Sequence, residues 1–332
     1  MERLHTTVVQ LEESKRFIVE GDVAHLRLAL ILLDNAVEVM MHRVVESELV
    51  HAGMYANMLK NFGTRPLDEE GSRLRNKIAE HTIPDKEQKQ IRRYFPAKLK
   101  FLSENRNRMS KTIARALKHL HSYRNETQHL DKIRKESMLP AVLILLDIAL
   151  DLLVELTPGM VMWSSDDDLS WRKKYGFGEK LVEAEVLRRR IAAKLREGLP
   201  LDLPGIRTSL IGHLTDRLGA MENELDFVAQ HSRVGPDREL ILKDVQFWHS
   251  KHSGKLPKEA AFDTYVPQFN LACMPRWRGQ VTSLSTVDDK SEMFDVFGTI
   301  EDDFEPLETM IDDAVSSIDA AIQIQIDIAR GK

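Results

Sequence analysis

Arg124, Asn125 and His129, in the stretch HLHSYRNETQHLD, are the residues of this chain whose types and spacing could do chemistry. A guanidinium stays charged at any physiological pH and meets a phosphate with two parallel N–H donors. An imidazole takes or gives a proton near neutrality. The amide of Asn125 can orient either partner. These groups suit gripping a phosphodiester and moving a proton beside it. An arginine a few residues ahead of a histidine is a weak pattern alone, and the chain holds a near-duplicate in Arg75-Asn76 before His81. Context separates the two: only the Arg124 copy joins a strongly basic segment to a very apolar one.

Two apolar helical patterns must position that stretch. One covers residues 23–45, where Leu26, Leu30, Leu33, Val37, Met40 and Val44 recur at three- and four-residue steps behind an Asp22 N-cap. The other covers residues 139–156, with Ser137 as cap and Pro140 expected in its first turn. Asp34 and Glu38 lie one turn apart on the first pattern, so their carboxylates share a face. They form either a solvated edge or a pair that faces the cleft and orients a basic side chain. Tyr123, next to Arg124, is a further candidate for support.

Residues 86–118 carry eleven cations against Glu87 and Glu104, a net charge of +9, in a chain whose overall charge is −5. Such a concentration points to a polyanion, or else to a solvated helical face. Candidate RNA contacts are Arg92, Arg93, Lys98, Lys100, Arg106, Arg108, Lys111, Arg115 and Lys118. Tyr94, Phe95 and Phe101 interleave with them, and aromatic faces can stack on unpaired bases. An opposite field lies far downstream in Asp288, Asp289, Glu292, Asp295, Glu301, Asp302, Asp303, Glu305 and Glu308. That acidic run is either a solvated loop or a lid over the basic approach to Arg124.

The chain has 332 residues, 42% of them hydrophobic, which suits two globular domains with sizeable cores. Its single cysteine, Cys273, excludes an intramolecular disulfide framework and a cysteine metal cluster. The charged start MERLHTTVVQLEESKRF has no signal-peptide core, and Arg27, Asp34, Asn35, Glu38 and His42 interrupt the first apolar pattern. A cytoplasmic protein without membrane contact is expected. GxxxxGK, GxGxxG, HExxH and GxSxG are absent, which removes the usual support for nucleotide hydrolysis, hydride transfer, zinc proteolysis and serine-esterase chemistry.

The fold expectation is all-α: a helical bundle over 1–158, a linker over 159–178, and a mostly helical domain over 179–332. Within these, 258–271 reads as helical, 280–287 as the one credible strand, and 304–330 as a long amphipathic helix. Asp147, Asp151 and Glu155 form an acidic stripe expected to face solvent or the other domain. Asp166 to Asp168 reads as a solvated loop with some capacity for a cation. The run Arg188, Arg189, Arg190 reads as a wet face, and His249 with His252 as unrelated surface residues.

The order of basic segment, Arg124-Asn125 followed by His129, and closing apolar helix resembles the HEPN superfamily, the higher eukaryote and prokaryote nucleotide-binding domains. The resemblance covers about residues 1–158. It implies a helical bundle with an R-x4-6-H motif, working as a homodimer without metal or other cofactor and cleaving RNA. Toxins of toxin–antitoxin pairs and effectors of antiviral defence are among such ribonucleases, so a cognate inhibitor or trigger protein is an expected partner. One toxin branch carries a tyrosine two residues after the histidine, where a partner enzyme attaches AMP. Asp131 stands there in this chain. On a straight α-helix, positions 124 and 129 diverge by about 140°; a kink at the helix start or a second protomer would resolve this, and a site shared between protomers of the first domain is the expectation. A non-catalytic helical adaptor or RNA-binding module, and an antitoxin-like regulator acting through the acidic half, are the rival readings.

Overall fold

The computed structural model describes residues 2–62, 68–130, 134–156, 170–178, 182–232 and 234–330, with the side chains of residues 2, 3, 129 and 130 outside that description. All regular elements among the described residues are helical, so the all-α expectation holds. The chain divides into two compact units, 1–202 and 203–332.

Helix α1 (Glu2–Glu20) ends at Gly21, whose φ of 77° turns the chain where a side chain would be strained. The Asp22 carboxylate then accepts from the N–H groups of Ala24 (3.0 Å) and His25 (3.1 Å) and starts α2 (Val23–Phe62). All six apolar positions expected between Leu26 and Val44 are buried, each fully buried leucine contributing about 2 kcal/mol. Next come α3 (Glu69–Ala79), which buries no residue, α4 (Asp85–Arg93) and α5 (Phe95–Lys100). A π-helical turn follows over Phe101–Asn105, then α6 (Lys111–Asn125), capped by Ser110. A second π-helical turn, Glu126–Leu130, leads toward α7 (Lys135–Glu155).

Helix α7 is apolar over most of its circumference apart from the Asp147–Asp151–Glu155 stripe, and its most apolar stretch is 78% buried, as befits a core helix. It begins before its expected cap. Ser137 is buried inside the first turn with its hydroxyl toward the Arg134 carbonyl, and Pro140 lies one turn later than expected.

Helix α8 (Ala184–Arg196) packs on α7 and α1. Arg196 donates to Asp147 (2.7 Å) and Asp151 (2.6 Å), so two members of the acidic stripe hold a neighbouring helix. Lys15 reinforces this by donating to the carbonyls of Lys194 and Glu197. The division between units therefore falls after Asp202 and not within 159–178. The later part of that stretch forms a 3-10 turn, Ser170–Tyr175, against α1, with Trp171 stacked on His5 at 4.9 Å and the Tyr175 hydroxyl donating to Glu12. Asp166 to Asp168 lie outside the described residues. Of the three consecutive arginines, Arg188 is buried, and burial pushes its pKa down against the counter-charge of Glu185. Only Arg189 and Arg190 are exposed.

The second unit comprises α9 (Leu203–His231), α10 (Arg238–His252), α11 (Cys273–Ser283) and α12 (Lys290–Ala329) around Trp277, Phe294, Phe297 and Phe304. No strand forms over 280–287. Trp277, Val281 and Leu284 are buried at helical steps of four and three, and that periodicity overrides the β-branched composition. Residues 258–271 are irregular turns, not a helix, and the buried amide of Gln246 clamps Phe269 by accepting from its N–H and donating to its carbonyl, both at 2.8 Å. His249 meets Asp313 at 3.0 Å, while His252 donates to the Trp248 carbonyl.

Most of the acidic run lies in α12, and three of its members are paired within the second unit. Glu301, with a side chain only 2% exposed, accepts from Arg217 and lies 3.3 Å from His213. Arg217 also donates to Glu308 and rests over the Phe304 ring at 4.7 Å. Asp288 pairs with Arg207. Glu301 is thus a core residue of its own unit and unsuited to a lid.

Two stability measurements follow. Arg217→Ala leaves Glu301 buried and stripped of a cation, and should lower the unfolding free energy of this unit by about 3 kcal/mol in urea titrations. Desolvation, then a hydrogen bond and repulsion from Asp312, raises the Glu224 carboxyl from 4.5 to about 7. The folded unit therefore holds this proton more tightly than the unfolded chain, and the stability so gained is lost as pH rises through about 7. Glu224→Gln should flatten the fall in unfolding midpoint between pH 4.5 and about 7.

Candidate active site

The carboxylate of Asp34, 2% exposed on α2, is the centre of the site. It accepts from Arg124 Nε at 2.7 Å and lies 2.9 and 3.2 Å from Nδ1 of His121 on α6. One turn along α2, Glu38 accepts from Lys98 of α5 at 2.8 Å. Both carboxylates are thus paired with basic side chains of other helices.

His121 is stacked flat on Phe95, ring centroids 3.9 Å apart and planes within 7°. With Nδ1–H donating to Asp34, the neutral ring keeps Nε2 as its acceptor. Arg124 Nη2 stands 3.5 Å from Nδ1, and Nη1 is 3.3 Å from Gln128 Oε1. The guanidinium thus spends Nε and Nη2 on Asp34, each at 2.7 Å, and keeps Nη1 on a weaker amide contact. His121 was missed in the sequence, although it stands one helical turn before Arg124, the spacing that puts two side chains on one face.

The remaining expected residues separate. Tyr123 is buried, its ring beneath Arg134 (4.6 Å) and its hydroxyl 3.5 Å from Ser137, so it packs the bundle. Asn125 is half-buried at the end of α6. His129 lies in the π-helical turn, and its side chain is outside the described residues. That turn removes the premise of a straight α-helix: i→i+5 bonding brings positions five apart closer to one side of the axis. The about 140° divergence therefore no longer argues for a site shared between protomers. Arg27 of α2 donates to the Thr127 carbonyl at 2.7 Å and Arg134 bonds Glu126 at 2.8 Å, anchoring the start of the turn. Arg75 and Asn76, the near-duplicate, lie exposed on α3.

Several cations of the basic segment are paired with carboxylates of α2. Arg92 pairs with Glu46 (2.9 Å), buried Lys98 with Glu38, and both Arg106 and Arg108 with Glu48, so α2 carries the counter-charges. Arg93, Lys100, Lys111, Arg115 and Lys118 are exposed. Lys111, Arg115 and Lys118 fall at positions i, i+4 and i+7 of α6, and the same ridge continues through Ser122 to Asn125. Phe95 and Phe101 belong to the core, leaving Tyr94, 51% exposed beside Arg93, as the aromatic of the three able to stack on a base. No group of three or more potential metal ligands occurs among the described residues.

Asp34→Ala should lower the stability of the first unit by about 3 kcal/mol, because it leaves two half-buried basic groups without their shared acceptor. Arg75→Ala on exposed α3 should change it by less than about 0.5 kcal/mol. Paired denaturant titrations check both values.

What such an arrangement does must be argued from its own chemistry, since comparison with protein-family models, curated proteins and solved structures finds no match for this chain.

Proposed function

We propose that this protein is a metal-independent endoribonuclease whose catalytic residues are Arg124 and His129, with Asn125 positioning the phosphate or the imidazole. One observation carries the reading: a guanidinium fixed by a buried carboxylate, with an imidazole on the same carboxylate, near the end of an exposed cationic ridge. Lys111, Arg115 and Lys118 draw in the RNA backbone. Arg124 places N–H donors on the scissile phosphate and stabilises the charge that grows there. An imidazole takes the proton of the ribose 2′-OH. The 2′-oxygen forms its bond to phosphorus as the P–O5′ bond breaks, and the leaving 5′-oxygen receives a proton. The products are a 2′,3′-cyclic phosphate and a 5′-OH. His129 fills the proton-transfer role in the HEPN resemblance, and His121 supplies a second imidazole already oriented by Asp34. That resemblance also supports a toxin or antiviral-defence setting with a cognate inhibitor or trigger protein.

A non-catalytic RNA-binding module is the second reading. It is favoured by the intramolecular pairing of Arg92, Lys98, Arg106 and Arg108, which leaves a weaker cationic face than composition implies.

Incubation of the purified protein with RNA in EDTA separates the two. The ribonuclease should release fragments ending in 2′,3′-cyclic phosphate. A single 2′-deoxy substitution at the cleavage position should abolish the cut. Arg124→Ala and His129→Ala should each slow cleavage at least about 100-fold with the helical circular dichroism unchanged. His121→Ala should slow it about 10-fold. RNA retained without cleavage, and equally by wild type and the three variants, establishes the binding module instead.

A further inference from the structure

Among the described residues, His121 is the one imidazole that shares an acceptor with Arg124. Asp34 Oδ1 lies 2.9 Å from Nδ1 of His121, and Oδ2 accepts from Nε of Arg124 at 2.7 Å, so one carboxylate fixes both side chains. Facing an acceptor, Nδ1 carries the ring proton and the lone pair falls to Nε2. Phe95 lies flat against the ring with centroids 3.9 Å apart, which restricts its rotation. Nε2 itself meets no donor or acceptor among the described residues, yet it is not sealed from water, and the side chain is 17% exposed. An imidazole held by its plane, its face and one nitrogen thus keeps the other nitrogen open.

Arg124 stands beside it. Its Nη2 is 3.5 Å from Nδ1, and its Nη1 touches only the side-chain oxygen of Gln128, at 3.3 Å. A neutral amide at that distance is readily displaced by a phosphate oxygen, whose contact with a guanidinium is charge-assisted. The anion so held lies next to the one ring that can accept a proton.

Resting on the ribonuclease reading, we propose that His121 is the general base of the cleavage: its Nε2 takes the proton of the ribose 2′-OH while Arg124 holds the phosphate, and Asp34 is the positioning residue behind both. As that proton moves, the 2′-oxygen bonds to phosphorus and the P–O5′ bond breaks with its electron pair left on the 5′-oxygen. The leaving oxygen takes its proton from a different group, the role this division leaves to His129. His121 ends as an imidazolium balanced by Asp34, because the guanidinium now faces the phosphate, and it returns its proton to water.

Two substrates test the assignment. One is a mixed-sequence single-stranded RNA, and the other is the same RNA with sulfur in place of the 5′-oxygen at the bond cut in the first. A thiolate leaves without being protonated, so loss of a general acid is masked on the sulfur substrate and loss of a general base is not. In His121→Asn the amide N–H takes the place of Nδ1–H at Asp34, and nothing takes the place of Nε2. This variant should keep the wild-type unfolding midpoint and cleave both substrates at least about 10-fold more slowly, as His121→Ala does. His129→Ala should be slow on the first substrate and recover on the second. The ratio of a variant's two rates does not depend on how much of it is folded, so this comparison survives a loss of stability. His121→Asn cutting the first RNA at the wild-type rate shows a histidine that only holds the helices together, and overturns the assignment. So does a His121 defect that disappears on the sulfur substrate, which marks an acid. A wild type that cuts no RNA at all overturns the ribonuclease reading itself, and the assignment with it.

Discussion

A carboxylate sealed inside a helical bundle has to be matched by donors, or the bundle would exclude its charge. Asp34 is in that position, and its donors are Arg124 and His121. This one demand fixes the angle of α6 about its axis and its height along α2. It also limits the freedom of the arginine that the proposed chemistry needs. A guanidinium tethered through Nε reaches a phosphate without first losing the rotamer entropy of a free arginine, the sense in which preorganised donors outperform mobile ones.

The same helix explains why composition overstates the positive field. Glu38, Glu46 and Glu48 lie along α2 and take up Lys98, Arg92, Arg106 and Arg108. Net charge counted along a segment treats every cation as free. In the fold, four of these cations stitch the 86–108 region to α2 across sequence separations that a local window does not see. What remains exposed is narrower and more directional, and it includes the ridge of α6 leading toward Asn125.

Much of this was legible in the sequence because it is local. The three- and four-residue rhythm from Leu26 to Val44, the Asp22 cap, and the one-turn spacing of Asp34 and Glu38 depend on helical geometry alone. His121 was not legible, because its significance comes from Asp34, 87 residues away. The π-helical turn at Glu126–Leu130 was hidden for a related reason. It is held by Arg27 and Arg134, and the residues inside it carry no Gly or Pro to announce a change of pitch. Helix α8 was assigned to the wrong unit because a solvated face and a docking face both read as alternating charge. Arg196 reveals the difference only when Asp147 and Asp151 are opposite it.

Helix α12 shows both outcomes in one element. Up to Ile311 Glu301 and Glu308 are matched by Arg217 and its apolar residues by the aromatic core, so sequence and packing agree. Beyond that point the apolar rhythm continues onto an exposed surface, with Ile324 and Ile328 60% and 69% exposed. A helix this long is not stabilised by propensity alone when its isoleucines face water, since helical stability in proteins comes mainly from burying one face. Its continued regularity is therefore better explained by a surface outside the chain than by anything within it.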